Sequence, residues 1–197
     1  MDTGKCIIFN GGGVYAFASV NHAGLMHIAQ AKQRNMLERP PVVACLWSEV
    51  EKLIDWDVIY RGLPHGNGRE LFRLIHETLP AVIIYPVDEK KSKKSVKDSL
   101  NAEWSNKIVW KAKTHHTIAV DTLAYPGVDR LVKTAAARYK KHFLYITSAN
   151  LPGDPTIDNP QDVMRTFPDI PVLEDPFIDS IVLHHGTQGY KGWSSYT

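Results

Sequence analysis

Apolar and polar residues follow two different periods along this chain, one typical of buried strands and one typical of amphipathic helices. Short apolar runs bounded by Gly, Pro, Asn or Asp predict strands, and apolar residues spaced three and four apart predict helices. The predicted strands are residues 5–9, 42–46, 81–85, 108–110, 117–120, 143–147 and 178–183. The predicted helices are residues 22–35, 48–54, 69–78, 129–139 and 160–167. Their alternation predicts an α/β fold around a mixed β-sheet flanked by helices.

Local signals add detail to two of these helices. Ser48, followed three residues later by Glu51, matches a capping box and predicts that a helix begins there. Four apolar residues of the helix over 69–78 are predicted to face the core: Leu71, Phe72, Leu74 and Ile75. Residues 88–97 contain five lysines and only one apolar residue, Val96. That composition predicts a surface loop or a mobile lid, which either solubilises the protein or attracts a polyanion such as ATP or RNA.

Composition is that of one globular domain. The chain has 197 residues, of which 44% are hydrophobic and 22% charged, with a net charge of +2. We therefore predict a single domain over residues 1–197, with a tail from about 186 that is partly loose. No signal peptide or membrane helix is recognisable, so we expect a cytoplasmic protein. Cys6 and Cys45 each lie beside an apolar run and are expected to be buried free thiols.

Two basic residues near the end of the first predicted helix are candidates for anion binding. Lys32 and Arg34 are two residues apart, and at a frayed helix end both side chains can turn toward one ligand. Two cations at one cleft suit a triphosphate or a carboxylate. The alternative interpretation is a solvated basic helix end.

A second candidate follows the strand over residues 143–147. Thr147, Ser148 and Asn150 lie at its carboxyl end, where open α/β sheets gather their ligands. Hydroxyl and amide groups there are suited to phosphate oxygens, although the same residues also favour a simple turn. Gly13 and Tyr15 follow the first strand in a glycine-rich loop that either lets a substrate lie against bare backbone or forms a plain turn.

A metal site in the protein is not expected. The adjacent pairs His115–His116 and His184–His185 would place their side chains on opposite faces of a strand. No zinc-protease or serine-hydrolase motif is present.

These motifs together resemble the YrdC-like family, the threonylcarbamoyl-adenylate synthases of tRNA modification. Residues 31–34 (AKQR) resemble its K-x-R motif, and residues 117–120 (TIAV) resemble its x-A-V-R strand. Residues 146–155 (ITSANLPGDP) resemble T-S-A-N-x-S-G-x-P, and residues 180–182 (SIV) resemble the end of S-T-I-V. The similarity runs from about residue 13 to 182, in the family's order.

This resemblance implies a YrdC-like twisted sheet around a large basic concave cavity. It also implies the synthesis of threonylcarbamoyl-AMP and pyrophosphate from ATP, bicarbonate and L-threonine, for the t6A modification of tRNA. Lys32 and Arg34 would be the catalytic cations, and Mg²⁺ would be held by the phosphates. Phosphate would be bound by Thr147, Ser148, Asn150 and Ser180. Substrate would be bound by Gly13, Tyr15, Thr117 and Asp121.

The sequence departs from the family pattern in three places, one of which is its basic I-L-R-x-G ending, for which residues 189–192 (GYKG) are only a loose substitute. The threonine that precedes Val-Tyr in the family is replaced by Gly13, and the arginine of A-V-R is replaced by Asp121. Two other functions therefore stay open. One is a non-catalytic member that binds a nucleotide, tRNA or double-stranded RNA. The other is a related adenylating enzyme in which Asp121 recognises an amine.

Overall fold

Strands rich in β-branched and aromatic residues form one eight-stranded mixed sheet in the computed structural model of the protein. The structure describes residues 6–11, 13–62, 68–98 and 100–174. The strands are β1 Ile7–Asn10, β2 Tyr15–Ser19, β3 Val42–Ala44, β4 Val82–Pro86, β5 Val109–Ala112, β6 His115–Asp121, β7 Leu144–Ser148 and β8 Val172–Leu173. Their order is β4-β6-β3-β7-β2-β1-β8, and β5 also pairs with β6. Because β3–β6 and β1–β8 are parallel pairs among antiparallel ones, the predicted mixed sheet is confirmed.

Helices connect most of these strands, and several begin at a side-chain cap. The helices are α1 His22–Ala31, α2 Trp47–Leu53, α3 Trp56–Gly62, α4 Gly68–Thr78, α5 Glu89–Lys97, α6 Ala102–Ile108, α7 Pro126–Tyr139 and α8 Pro160–Thr166. Four begin where an Asn or Asp side chain accepts a backbone N–H: Asn21, Asp88, Asn101 and Asn159. In four of the eight described helices, therefore, one polar capping residue marks where the helix begins.

Two apolar clusters lie on opposite faces of the sheet. One contains Phe17, Val43 and Tyr145 together with residues of α1, and this face is called the α1 face. The other contains Ala44 and Leu144 together with residues of α7, and this face is called the α7 face. Successive residues of a strand point to alternate faces, so each strand contributes to both clusters.

The first helix is shorter than predicted. We predicted a helix over 22–35, but α1 ends at Ala31, with Lys32 as its C-cap. Gln33 then adopts a left-handed conformation with φ of 51°, which turns the chain out of the helix. This turn is what redirects Arg34 toward the sheet.

The capping box predicted at Ser48 is wrong. The N-cap of α2 is Leu46, and no side chain caps the helix. The amide of Glu49 already donates to the carbonyl of Leu46 at 2.9 Å, which places Ser48 inside the first turn.

Three helices were missed by the sequence analysis: the short helices α3 and α6, and the lysine-rich α5. Both α3 and α6 have seven residues, which is less than two helical turns, so no apolar period can establish itself. The signal that was present at α6 is its cap, because Asn101 accepts the amide of Trp104 at 3.0 Å.

The helix over 69–78 is confirmed as α4, but only part of its predicted inward face is correct. Leu71 and Leu74 are 51% and 56% exposed rather than buried. The helix instead turns Phe72 toward the ring of Tyr85, at a centroid distance of 6.0 Å, and buries His76 completely. The aromatic contact and the buried imidazole determine which face packs inward.

The lysine-rich segment is not a loop. Residues 88–97 form α5, in which Asp88 caps the first turn and Ser92 and Val96 are buried. Cys6 and Cys45 are free and buried, as predicted. Among the described residues, no helix is long and apolar enough to span a membrane. The strand predicted over 178–183 lies outside the described residues.

Candidate functional site

Lys32 and Arg34 both reach the carboxyl end of β7. The ammonium group of Lys32 donates to the backbone carbonyl of Ser148 and to Asn150 Oδ1, the latter at 3.3 Å. Arg34 Nη2 donates to Thr147 Oγ1 at 3.4 Å. The structure thus brings together five of the residues that the sequence predicted as a site. They come from two segments more than 100 positions apart in the chain.

The two cations differ in accessibility. Lys32 is fully buried, and its Nζ lies 5.8 Å from the centroid of the Phe17 ring. Arg34 is half-buried, and its guanidinium also contacts the backbone carbonyl of Arg39 at 3.5 Å. An anion approaching from solvent therefore meets Arg34 first and reaches Lys32 only by displacing a partner of its ammonium group.

Burial changes the proton affinity of both groups. Desolvation, with a smaller contribution from the Arg34 guanidinium, lowers the pKa of Lys32 to about 7. Desolvation and then Arg39 lower the pKa of Arg34, which nevertheless stays charged in proteins. Because no carboxylate contacts Lys32 among the described residues, a bound anion is the natural partner of this ammonium group.

Asn150 organises the turn that follows β7. Its Oδ1 accepts from the hydroxyl of Ser148 at 2.6 Å, and its Nδ2 donates to the carbonyl of Asp154 at 2.7 Å. Both ends of the amide are therefore occupied within the protein. The hydroxyl of Thr147 accepts from Arg34, which leaves its proton able to donate to a ligand oxygen.

The glycine-rich loop lies beside this turn. Gly13 has a φ of 103°, a conformation that side chains disfavour, and its amide donates to Asn10 Oδ1 at 3.0 Å. The carbonyl of Tyr15 accepts from the amide of Ala149 at 2.8 Å. Tyr15 is therefore joined to the turn after β7 by a backbone hydrogen bond, and the roles of Gly13 and Tyr15 in substrate binding stay predictions.

Thr117 and Asp121 lie on the face of the sheet opposite to the Phe17 ring and the Lys32 ammonium group. Val120 belongs to the α1 face, so Asp121 and Thr117 point to the α7 face. Asp121 pairs with Ala44, and Ala44 pairs with the first residue of β7. Four strand positions, about 13 Å, separate the level of Asp121 from Ser148, whereas the same registers place Thr117 level with Ser148, two strands away.

Asp121 is also unsuited to bind a cationic amine. It is almost completely buried, and its Oδ1 has no hydrogen-bond partner within the described ranges. Desolvation, opposed weakly by the amide of Thr122, raises the pKa of Asp121 to about 8. The carboxyl is therefore neutral at pH 7, which corrects the expectation that it offers a negative charge to substrate.

Ser180 lies outside the described residues, so its role stays a prediction, as does the basic concave cavity. The sequence analysis missed Phe17, whose ring lies beneath the Lys32 ammonium group. The alternation of β2 holds a signal for it, because Phe17 shares a face with Tyr15.

The sequence matches a known family, and the fold resembles several solved structures. The family model Sua5_yciO_yrdC, described as telomere recombination, matches residues 1–188. No curated protein sequence matches the chain. The hypothetical protein smu.1377c from Streptococcus mutans UA159 is 14% identical, with a TM-score of 0.62. The match covers 94% of this chain and 66% of the Streptococcus protein.

Two further solved structures share the fold. P. abyssi Sua5, complexed with L-threonine, is 16% identical with a TM-score of 0.52, and covers 87% of this chain and 43% of its own. HypF, in a phosphate- and nucleotide-bound form, is 14% identical with a TM-score of 0.53, and covers 89% of this chain and 23% of its own. This chain therefore spans less than half of either protein. Since the family match extends over nearly the whole sequence, the chain belongs to the Sua5/YciO/YrdC family, as its motifs predicted.

Proposed function

We propose that this protein is an ATP-dependent nucleotidyltransferase that makes threonylcarbamoyl-AMP from ATP, bicarbonate and L-threonine. One observation carries the proposal: Lys32 and Arg34 converge on the end of β7 at Ser148 and Thr147. Two cations meet there without a carboxylate among the described residues, which is an arrangement suited to a polyphosphate. The product would serve the t6A modification of tRNA.

The reaction needs positive charge where the phosphate chain becomes more negative. The amine of threonine attacks bicarbonate, and a carbamate forms with loss of water. A carbamate oxygen then attacks the α-phosphorus of ATP, and the bond from that phosphorus to the bridging oxygen of pyrophosphate breaks. Fixed cations stabilise the charge on the leaving pyrophosphate without reorganising during the step.

Arg34 and Lys32 would divide this task. Arg34, the more accessible cation, would bind the triphosphate first through its fork of N–H donors. A phosphate oxygen that replaced the Ser148 carbonyl would raise the pKa of Lys32 and keep its ammonium group charged. The hydroxyl of Thr147 would donate to the same phosphate, while Asn150 would hold the turn in position.

Mg²⁺ would come to the site with the nucleotide. The described residues contain no group of three or more His, Cys, Asp or Glu side chains that could hold a metal ion. The phosphates are therefore the expected ligands of the ion, and Mg²⁺ would reduce the negative charge of the triphosphate.

The solved relatives support both substrates. A Sua5 structure contains L-threonine, and a HypF structure contains phosphate and nucleotide. In this chain the carbonyl of Tyr15 accepts from the amide of Ala149, the residue after Ser148, and we assign the amino acid to that side of the cation pair. Neither Thr117 nor Asp121 takes part in this assignment.

The test is ATP-dependent release of pyrophosphate with bicarbonate and a panel of amino acids. We expect release that requires both, with L-threonine the best substrate. Lys32→Met and Arg34→Gln should each lower kcat/KM by about 100-fold or more, the usual cost of removing a charge-stabilising donor. Lys52→Met is the matched control, because Lys52 is an exposed lysine paired with Glu49 on α2.

Two results would contradict the proposal. One is the absence of pyrophosphate release with every amino acid, and the other is an equal loss in Lys52→Met. Calorimetry with ATP then separates the remaining possibilities. Binding of ATP that depends on Arg34, without turnover, would show a nucleotide-binding protein that has lost catalysis.

A further inference from the structure

The lysine-rich helix α5 presents a fixed row of positive charge. Lys90, Lys94 and Lys97 are spaced four and three residues apart, so they lie within about 60° of one another around the helix. All three are exposed, whereas Ser92 and Val96 on the opposite side are buried. The row extends over about 10.5 Å along the helix axis.

The helix that carries this row is held firmly. The hydroxyl of Ser105 on α6 donates to the carbonyl of Lys93 at 2.9 Å. The side chain of Asp88 accepts the amide of Lys91 at 2.9 Å and so caps the first turn. The three lysines are consequently displayed from a defined surface rather than from a loop.

Nearby acidic residues do not neutralise the row. Glu89 accepts from Lys93 at 2.8 Å and lies 3.3 Å from His116, and Asp88 lies 3.9 Å from the ammonium group of Lys91. The hydrogen bond from Lys93 is the main cause that lowers the pKa of Glu89, so this carboxylate is already satisfied. In the described ranges, no acidic side chain is within ion-pair distance of Lys90, Lys94 or Lys97.

Charge is concentrated in this part of the chain. Residues 88–116 contain eight lysines and four acidic residues, a net charge of +4, while the whole chain has a net charge of +2. The remainder is therefore slightly acidic. A polyanion would be drawn to α5 and its neighbours, since local charge density determines where such a ligand binds.

The chemistry of the surface favours a nucleic acid over a membrane. A helix that binds a bilayer inserts apolar side chains, but the exposed residues of α5 are four lysines and Glu89. Lysines contact phosphates as point charges and do not require a base sequence. A row of about 10.5 Å extends over about three base-pair steps of a duplex, since successive phosphates of one strand rise about 3.4 Å along the duplex axis.

We propose that Lys90, Lys94 and Lys97 bind the phosphate backbone of a nucleic acid without sequence preference. This surface is distinct from the Lys32 site, and its function does not depend on the adenylation reaction. A nucleic acid bound to α5 would stay on the protein surface without entering the Lys32 site.

The test compares two triple variants with equal changes in charge. In K90Q/K94Q/K97Q the row is neutralised. In K52Q/K133Q/R165Q three exposed cations are removed from α2, α7 and α8 instead. A third variant, K90R/K94R/K97R, keeps the charge and checks that the helix tolerates substitution. Circular dichroism and thermal unfolding establish that all three are folded.

Fluorescence anisotropy with RNA and DNA duplexes of about 20 base pairs gives the affinity at several salt concentrations. We expect K90Q/K94Q/K97Q to bind about tenfold or more weakly at about 0.1 M salt, with a log–log salt slope smaller by about 2.7 for three lost phosphate contacts. The arginine variant and the control triple should bind almost as the wild type does. Pyrophosphate release with small substrates should be unchanged in all of them.

Three results would overturn the inference. They are wild-type protein that binds neither duplex, a control triple that loses as much affinity as K90Q/K94Q/K97Q, and a salt slope that the row does not affect. Binding to vesicles of phosphatidylcholine with and without phosphatidylserine is measured in parallel. Lysine-dependent binding to the anionic vesicles in place of the duplexes would show that the surface recognises a membrane.

Discussion

Replacing Asp121 by Asn should change how the stability of the protein depends on pH. Asp121 is buried on the α7 face, and desolvation raises the pKa of its carboxyl from 3.8 to about 8. In the unfolded chain the same carboxyl is exposed and has its ordinary pKa. Asn has nearly the same shape but does not titrate, so the variant isolates this one proton.

The direction in which stability changes with pH follows from the pKa of Asp121 in the folded and in the unfolded state. Because the folded-state pKa is the higher one, the folded protein keeps a proton that the unfolded chain releases between about pH 4 and pH 8. The stabilisation is fully present below pH 4 and is lost as pH rises through about 8. One proton corresponds to about 1.4 kcal/mol per pH unit, so the wild type should lose about 2.7 kcal/mol relative to the variant between pH 5 and pH 7.

Between pH 5 and pH 7 the comparison also avoids interference from Lys32, the buried cation whose pKa is strongly shifted. Below about pH 6 the ammonium group of Lys32 is protonated in both the folded and the unfolded state, and its slope between pH 6 and pH 7 is the same in the wild type and in Asp121→Asn. The difference between wild type and Asp121→Asn also cancels residues that titrate equally in both proteins.

Urea unfolding followed by tryptophan fluorescence at half-unit steps of pH gives the required free energies. Asp158→Asn, at an exposed aspartate between β7 and α8, is the control and should follow the wild type. Parallel curves for wild type and Asp121→Asn would refute the reasoning, since they would mean that Asp121 is ionised in the folded protein. The comparison relies on the slope, because an Asn amide without an acceptor would lower the stability by a constant amount.

Three other predictions concern the site at the end of β7. Between pH 7 and pH 9 the wild type should gain about 1.4 kcal/mol of stability per pH unit from Lys32, because its folded-state pKa of about 7 lies below the unfolded value of 10.5; Lys32→Met should lack this gain in urea titrations. Binding of ATP at pH 8 should take up a proton at Lys32, so the calorimetric enthalpy should depend on the ionisation enthalpy of the buffer in the wild type but not in Lys32→Met. Asn150→Asp should weaken ATP binding by about tenfold or more, since it adds a carboxylate beside the Lys32 ammonium group; unchanged affinity would place the phosphates elsewhere.

The components of the Lys32 site were predictable because they are local motifs. Two cations after a helix, and a hydroxyl-rich turn after a buried strand, are each recognisable within a few residues of sequence. Their convergence depended on the resemblance to a family, since nothing local connects Lys32 with Ser148. The complete burial of Lys32, and hence its lowered pKa, required the packed structure.

The helices show where local patterns fail. In α5, lysines at the exposed positions hid the helical period, and only Ser92 and Val96 mark the buried side. In α4, Phe72 packs inward as predicted, but His76 is the fully buried residue and Leu71 and Leu74 are exposed. The α4 error arises because periodicity indicates that a helix has two sides, whereas tertiary contacts decide which side is buried.

The sequence could not show which face of the sheet Thr117 and Asp121 occupy relative to Lys32. Alternation within β6 correctly groups these two residues on one face, opposite to Val120. Whether that face is the one occupied by Lys32 depends on the registers of β6 with β3 and of β3 with β7. A shift of one residue in either register would exchange the faces, and no residue in these strands marks the register in the sequence. Site residues on one strand are therefore predictable relative to each other, but residues on strands two places apart become comparable only once the sheet is formed.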